Sequence, residues 1–391
     1  MDTINIKTIF MINKPKIAMI GLKGLPAYGG AAAVGENIIK YSKDDYEYTV
    51  YATSSHTDIQ SGNYENYKQI VFKKIPFKKL NILYYYILST FHALLFGNYD
   101  LIHLHHRDAA FVIPILKLKY KVLSTTHGSF CEMENEKYYN WFFKINEKYF
   151  IKYSDYITCV SRIEQELYKK NVKINALYIP NGIEKVNVMK LPCVPYDDYI
   201  LFAAGRIIRS KGCEYLLKAL NIINYNRKII IAGDLSHSNG YIKELYKLSN
   251  GLDVDYLGLI KDKKLLYSYL YNARLFVFPS AIEAMSMMLL EAASVKASII
   301  CSDIQSNKDI FEERDILYFK SGNVEDLAQK INYALANPDK MLEFAERAFE
   351  KVNSCHRWDK IVSNYTNVYN MLLGDIALSK HNIRTERKIN S

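Results

Sequence analysis

Short apolar runs alternate along this chain with stretches whose apolar residues recur at helical spacing. Runs such as Lys16-Ile-Ala-Met-Ile20 are apolar without alternation, the pattern of strands buried on both faces. In the first half the pattern predicts strands at Lys16–Ile20, Tyr48–Ala52, Gln69–Lys73, Asp100–Leu104, Lys121–Thr125 and Tyr156–Val160. It predicts helices near Ala31–Tyr41, Leu80–Phe96, Asp108–Leu118 and Glu136–Tyr153, and one more after Ser161. Strand alternating with helix indicates a parallel sheet covered on both faces.

The alternation pauses at Leu191-Pro-Cys-Val-Pro195, where two prolines flanked by Asp197-Asp198 mark a linker, and then restarts. Strands are expected at Tyr199–Ala204, Lys228–Ala232, Asp253–Leu257, Leu275–Phe278 and Ser298–Cys301. Helices are expected at Cys213–Leu220, Tyr241–Ser249, Lys263–Tyr271, Ser286–Ser294, Asn323–Ala336, Asp339–Val352 and Trp358–Leu373. The chain therefore reads as two α/β domains, 1–190 and 191–357, then a helix over 358–375 and a polar, frayed tail over 376–391.

A length of 391 residues suits two domains, and 49% hydrophobic with 24% charged residues excludes a disordered or fibrous chain. The apolar run Ile82–Phe96 contains Ser89, Thr90 and His92 and is too short and too polar to span a membrane. Ile9–Ile12 is too short for a signal core. The cysteines at 131, 159, 193, 213, 301 and 355 are each at least 20 residues from the next, which excludes CxxC pairs and predicts a reduced, cytoplasmic protein. Residues 1–190 hold 25 Lys and Arg against 17 Asp and Glu, a net of +8; residues 191–391 hold 26 against 24, a net of +2. So basic a first half could face phosphates or anionic lipid, or be a solvated surface.

Ligands of open α/β sheets bind beyond the carboxyl ends of the strands, so the residues that follow each strand come next. After Leu275–Phe278, Glu283 lies in the loop and Glu291 two turns into the next helix, whose N–H groups near Ser286, Met287 and Met288 form an anion site between them. Carboxylates beside a phosphate site suit recognition of sugar hydroxyls. After Tyr199–Ala204 comes Gly205-Arg206-Ile-Ile-Arg209-Ser-Lys211-Gly212, where two or three cations converge. After Lys121–Thr125 comes Thr126-His127-Gly128, a histidine able to donate to a phosphate or a hydroxyl. After the first strand, Gly29-Gly30 stands directly before a helix and suits close approach of backbone to a ligand. Gly21-x-x-Gly24 is not the dinucleotide fingerprint, and no acid follows the second strand, which argues against a nicotinamide enzyme. Taken singly, the acids, the basic loop and the histidine read more readily as a helix-surface acid, a solvated loop and a structural residue.

Three weaker signals have structural explanations. His103-x-His105 could hold a metal, but no third ligand suggests itself. Asp253-Val-Asp255 resembles the DxD of metal-dependent sugar transferases but opens a strand with no site around it. Lys73-Lys74-Ile-Pro-Phe-Lys78-Lys79, followed by Tyr84–Tyr86, could be an interfacial membrane patch or a nucleic-acid surface, or a buried helix face with solvated lysines.

In this order the motifs GLKGLPAYGG, TTHG, Ile179-Pro-Asn-Gly-Ile183, GRIIRSKG, IAGD, DYLGLI and PSAIEAMSMMLLEA resemble the retaining glycosyltransferases of family 4. The resemblance covers nearly the whole chain and is most specific over 199–302; the opening loop resembles a subgroup that builds bacterial surface polysaccharides. It implies the GT-B fold, with two Rossmann-like domains facing across a cleft, and a last helix that crosses back to the first. It implies that Arg206 and Lys211 hold the donor diphosphate and that Glu291 binds the ribose. Glu283 would contact the donor sugar, His127 would reach the sugar or the β-phosphate, and Gly29 and Gly30 would let the first loop approach. It implies a nucleotide-sugar donor, a glycan or lipid-linked acceptor, no metal and no other cofactor, with Lys and Arg stabilising the leaving diphosphate, and a hinge near 191–198.

The sequence departs from the family in having Glu283-Ala-Met-Ser286 for Glu-Gly-Phe-Gly, and Lys296 and Ser298 for a Gly and a Pro. The leading expectation is a cytoplasmic transferase acting in surface-polysaccharide synthesis, with peripheral contact to an anionic membrane. A sugar-nucleotide 2-epimerase of the same fold and an inactive glycosyltransferase-like partner subunit are the alternatives; a nucleic-acid partner is not expected.

Overall fold

The computed structural model describes residues 14–27, 29–128, 145–236 and 238–389. Its longer strands form where the apolar runs predict them. In the first half they are β1 (Lys16–Lys23), β2 (Glu47–Thr53), β3 (Gly62–Asn63), β4 (Lys68–Phe72), β5 (Leu101–His105), β6 (Lys121–Thr126), β7 (Tyr156–Cys159) and β8 (Leu177–Tyr178). They build one sheet in the order β3-β4-β2-β1-β5-β6-β7-β8, parallel except where β3 meets β4. The register of β1 sets Ile17 beside Tyr48 on one side and Leu101 on the other. Helices α1 (Gly30–Ser42), α2 (Lys78–Phe96), α3 (Ile113–Leu116) and α4 (Arg162–Leu167) connect these strands. The expected helix Asp108–Leu118 begins as a tighter 3-10 turn, Arg107–Val112, and only α3 is α-helical. The helix expected at Glu136–Tyr153 lies outside the described residues as far as 144, as do Cys131 and the apolar run at 9–12.

In the second half β9 (Ile200–Arg206), β10 (Ile229–Asp234), β11 (Val254–Gly258), β12 (Leu275–Phe278), β13 (Ile299–Ser302) and β14 (Leu317–Phe319) form an all-parallel sheet in the order β11-β10-β9-β12-β13-β14. The helices are α5 (Cys213–Ile222), α6 (Asn239–Leu248), α7 (Lys263–Asn272), α8 (Met287–Ser294), α9 (Gln305–Lys308), α10 (Val324–Ala336) and α11 (Pro338–Cys355). Ile200, Phe202, Ile229, Ile231 and Val277 of the sheet pack with Leu216, Leu217 and Leu220 of α5 and with Leu327 and Ile331 of α10. No helix among the described residues is long and apolar enough to cross a membrane.

The chain divides into two compact units, Met1–Pro180 with Trp358–Ser391, and Asn181–Arg357. The expected boundary at 190/191 therefore moves to 180/181. Hydrogen bonds explain the shift. Asn181 Nδ2 donates to Met285 O at 3.1 Å, and Ile183 N–H donates to His356 O at 2.6 Å, so the segment after Pro180 is already tied to the second unit. The last helix, α12 (Trp358–Ile389), packs on α1 within the first unit. It continues past Leu373, where the expected helix ended. No proline follows Gly374, and helix-forming Leu, Lys, Arg and Glu carry the backbone on to Ile389.

Candidate active site

The second sheet reverses its strand order between β9 and β12. The loops leaving two such strands diverge and open a crevice at their carboxyl ends. The loop after β9 carries Lys211, and the loop after β12 carries Glu283. Backbone contacts hold the two loops together: Ala281 N–H donates to Ser210 O at 2.9 Å. Gly212 has φ +71°, and a Cβ on it would stand 2.2 Å from Pro279 O. Only glycine lets the first loop close onto the second here.

Across this closure Lys211 Nζ lies 2.6 Å from Glu283 Oε1, both side chains being largely buried. Ser280 Oγ donates to the same oxygen at 2.7 Å. Arg206, the last residue of β9, is exposed, as is Gly205, where a Cβ would meet nothing within 4 Å. Arg209 does not join them. It pairs with Glu244 at 2.5 Å and Glu214 at 3.5 Å and lies over the Tyr241 ring, so of the three candidate cations of this loop Arg206 and Lys211 remain.

At the start of α8, Ser286 Oγ accepts the Leu289 N–H at 3.3 Å. The N–H groups of Met287 and Met288 remain as donors of the first turn. Ser286 sits in ordinary extended backbone, φ −78°, so serine in place of the family's glycine is unstrained and supplies the cap. Met285 is buried and accepts from Asn181 through both its backbone oxygen and its sulfur. Lys296, by contrast, holds the left-handed backbone, φ +59°, that the family's glycine would take freely. Its Nζ pairs with Glu346 at 2.7 Å and lies over the Phe349 ring.

Glu291, on the second turn of α8, is buried. Its Oε1 meets Lys263 Nζ at 2.5 Å, while Oε2 has no hydrogen-bond partner. Burial pushes its carboxyl above the usual range, and the lysine holds it down in part. The neighbouring Tyr267 hydroxyl is pushed up as well, by burial first and then by the charges of Glu291 and Glu184. Lys263 was not singled out from the sequence. It opens α7 inside the run Lys261-Asp-Lys-Lys264, which reads as a solvated charge cluster.

His127 and the paired glycines belong to the first unit. His127 follows β6 and is half-buried; its Nε2 lies 3.1 Å from His105 Nδ1, with the two rings stacked. Burial lowers its pKa to about 3, so the ring is neutral. A neutral ring carries one N–H, so where His105 Nδ1 is the donor of this pair the proton of His127 sits on Nδ1 and can be donated. His103 is occupied on both nitrogens, by Tyr369 Oη at 2.7 Å and Thr125 Oγ1 at 2.6 Å, so the His103-x-His105 pair is structural. The loop after β1 is anchored by Tyr85, whose hydroxyl accepts the Gly21 N–H and donates to Tyr51 O, each at 2.8 Å. Gly29 and Gly30 are exposed, and a Cβ on Gly29 would meet nothing within 4 Å. Asp253 and Asp255 both pair with Lys228, which accounts for the DxD as an ion-pair cluster. Among the described residues no group of three or more His, Cys, Asp or Glu is placed to hold a metal ion.

Known proteins resemble this chain in sequence and in fold. A model of glycosyl transferases group 1 matches residues 193–351, and a model of glycosyltransferase family 4 matches residues 28–185. The uncharacterized glycosyltransferase MJ1178 of Methanocaldococcus jannaschii is 25% identical over 361 residues, 89% of this chain and 96% of that protein. The capsular polysaccharide biosynthesis glycosyltransferase CapH of Staphylococcus aureus is 24% identical over 313 residues, 76% of this chain and 83% of that one. Among solved structures, Anabaena Alr3699/HepE in complex with UDP and glucose superposes with a TM-score of 0.72 at 18% identity, covering 91% of this chain and 100% of that one. Two successive family matches across most of the chain and two separate sheets of mainly parallel strands flanked by helices lead to one conclusion: the chain belongs to the family 4 glycosyltransferases and has the GT-B fold.

Proposed function

We propose that this glycosyltransferase moves a hexose from a nucleoside-diphosphate sugar to a glycan or lipid-linked oligosaccharide in the synthesis of a cell-surface polysaccharide. The transfer proceeds with retention at the anomeric carbon, as the family resemblance implies, and without a metal ion. The observation that carries the reading is the Lys211–Glu283 pair at the strand-order reversal of the second sheet, beside the exposed Arg206 and the first turn of α8.

A diphosphate entering there draws Lys211 from Glu283. Lys211 and Arg206 then hold it and stabilise the charge that grows on it as its bond to the sugar breaks. The N–H groups of Met287 and Met288 add donors at a helix N-terminus. Two fixed cations meet the demand that a divalent ion meets in other transferases. Glu283, once released, accepts from hydroxyls of the sugar. Glu291 accepts from the ribose hydroxyls through Oε2, the buried oxygen that lacks a partner. Gly205 and Gly29 have open space where a side chain would stand and no left-handed backbone, so nothing in the chain itself requires glycine there. A ligand lying against the backbone accounts for each, and for Gly30 beside Gly29. His127, neutral, donates through Nδ1 to the sugar or the β-phosphate.

The polysaccharide reading is supported by the capsular relative, and the UDP complex of HepE makes UDP the first nucleotide to try. Such a reaction places the protein in the cytoplasm, at the inner face of the membrane where a lipid-linked acceptor is presented. Both matched families are of transferases, and no observation favours the 2-epimerase. The presence of Arg206, Lys211, Glu283 and Glu291 together favours an active enzyme over a partner subunit.

Thermal stabilisation by a panel of nucleoside diphosphates tests the donor site, because a ligand of the folded state raises apparent stability by mass action. One base should give a shift that Arg206→Ala and Lys211→Ala each abolish, with transfer falling by roughly 10²–10³-fold in either variant. No shift with any base, or a shift that both variants keep, overturns the assignment of the diphosphate to this loop.

A further inference from the structure

Helix α2 is apolar on both sides: Tyr85, Tyr86 and Ala93 join the core of the first unit, with Ile82 and Leu94 packed against it, yet further apolar residues face outward. Its inner side carries Asn81, Tyr85, Tyr86, Ser89, Thr90 and Ala93, all buried. Its outer side carries Leu80, Tyr84, Ile87, Phe91 and Leu95, spaced by four, three, four and four residues and therefore in line along one face. Leu80 is 52% exposed, Phe91 51% and Leu95 70%, and the stripe is closed at its ends by Phe77 at 67% and Phe96 at 76%. Scattered apolar residues on a surface need no explanation, but a continuous apolar stripe about four turns long marks a contact surface.

The charge around the stripe says what it contacts. From Asn66 to Tyr99 the chain has five lysines and no aspartate or glutamate. Lys73 and Lys74 are exposed just before the helix, and Lys78 and Lys79 open it. Apolar side chains along one face of a helix, with lysines at its start and no acid in its own stretch of chain, form an interfacial helix, which lies in the plane of a bilayer among anionic headgroups. A second copy of the same surface would set lysine against lysine.

We infer that α2 docks the first unit on an anionic lipid bilayer, Phe77, Leu80, Phe91, Leu95 and Phe96 entering the headgroup and acyl boundary and Lys73 and Lys74 meeting the lipid phosphates. The inference deepens the membrane arm of the proposed function, and it has a structural consequence for it. The inner side of the same helix holds the loop after β1 through the bond between Tyr85 Oη and Gly21 N–H. A bilayer on the outer side therefore lies about one helix diameter, 10–12 Å, from the anchor of that loop.

The test is flotation of the full chain with lipid vesicles, with no nucleotide sugar present. Vesicles of phosphatidylcholine with about 30 mol % phosphatidylglycerol should carry the protein, pure phosphatidylcholine much less, and added salt should weaken the binding. Phe91→Ser with Leu95→Ser, at positions already open to solvent, should weaken binding by at least about tenfold. Lys73→Glu with Lys74→Glu should weaken it by about tenfold or more, and only on anionic vesicles. Both variants should keep the melting temperature and the nucleotide-induced shift of the parent, which shows that they fold and separates this surface from the donor site. Failure of the wild type to float, or flotation that the Phe91/Leu95 variant leaves unchanged, overturns the docking surface and leaves the transferase reading standing. A dimer in sedimentation that the same variant dissociates assigns the stripe to a second copy and likewise overturns it.

Discussion

At Glu291 burial and a neighbouring lysine pull in opposite directions. Burial raises the carboxyl, the Lys263 contact lowers it, and the net shift is upward. The folded protein therefore takes up this proton at a higher pH than the unfolded chain does. Its burial favours folding below the unfolded value, and that contribution is lost as pH rises through the raised one. For ligand binding the sign is simple: a ribose hydroxyl needs the carboxylate as acceptor, so protonation weakens the contact. Lys263→Met removes the cation that holds the value down and sends it further up. The acid limb of nucleotide binding should then move to higher pH than in the wild type, with affinity above that limb much less affected. Thermal shifts with the preferred nucleoside diphosphate across a pH series check this, and a lysine with only a structural role would leave the pH profile where it was.

The element that makes the site is the pair of loops after β9 and β12, and Gly212 is where they close. An alanine there meets Pro279 O at 2.2 Å and must adopt φ +71°. Gly212→Ala should lower stability by about 1–3 kcal/mol, read from the denaturant midpoint of the second unit. Gly205→Ala, one strand end away in open space, should leave that midpoint within about 0.5 kcal/mol and weaken the donor alone. The start of α8 gives a smaller effect. Ser286→Ala removes the acceptor of the Leu289 N–H and should cost about 1 kcal/mol. The sequence alone treats these glycines and this serine alike as loop residues; their different consequences depend on what stands within a few ångströms of each.

For the molecule as a whole, two units with their own sheets and cores need not unfold in one step. The return of α12 ties the chain's far end to the first unit: Trp358, Ile361, Tyr365 and Tyr369 are all buried, and Tyr369 Oη holds His103 Nδ1 at 2.7 Å. Tyr369→Ala should remove about 3–5 kcal/mol from the first unit's transition and leave the second's in place. Trp358 fluorescence follows the first transition and far-ultraviolet circular dichroism follows both, so the two signals should separate in the variant.

The sequence by itself determined the two α/β halves, nearly every long strand and helix, and the loops that could carry chemistry. Periodicity and turn residues act between near neighbours, so they survive in a string of letters. It missed β3, β8 and β14, which are two or three residues long and too short to show a period. Its unit boundary fell ten residues late because prolines mark where a chain can bend, whereas the bonds of Asn181 and Ile183 decide which unit a segment joins. Tertiary structure alone decided which basic residues of one loop stay at the strand end and which, like Arg209, are bound elsewhere. It alone placed Lys263 against Glu291, 28 positions away, and left a second apolar stripe of α2 exposed. Those outcomes depend on distances between residues far apart in the chain, and only the packed sheets and helices set such distances.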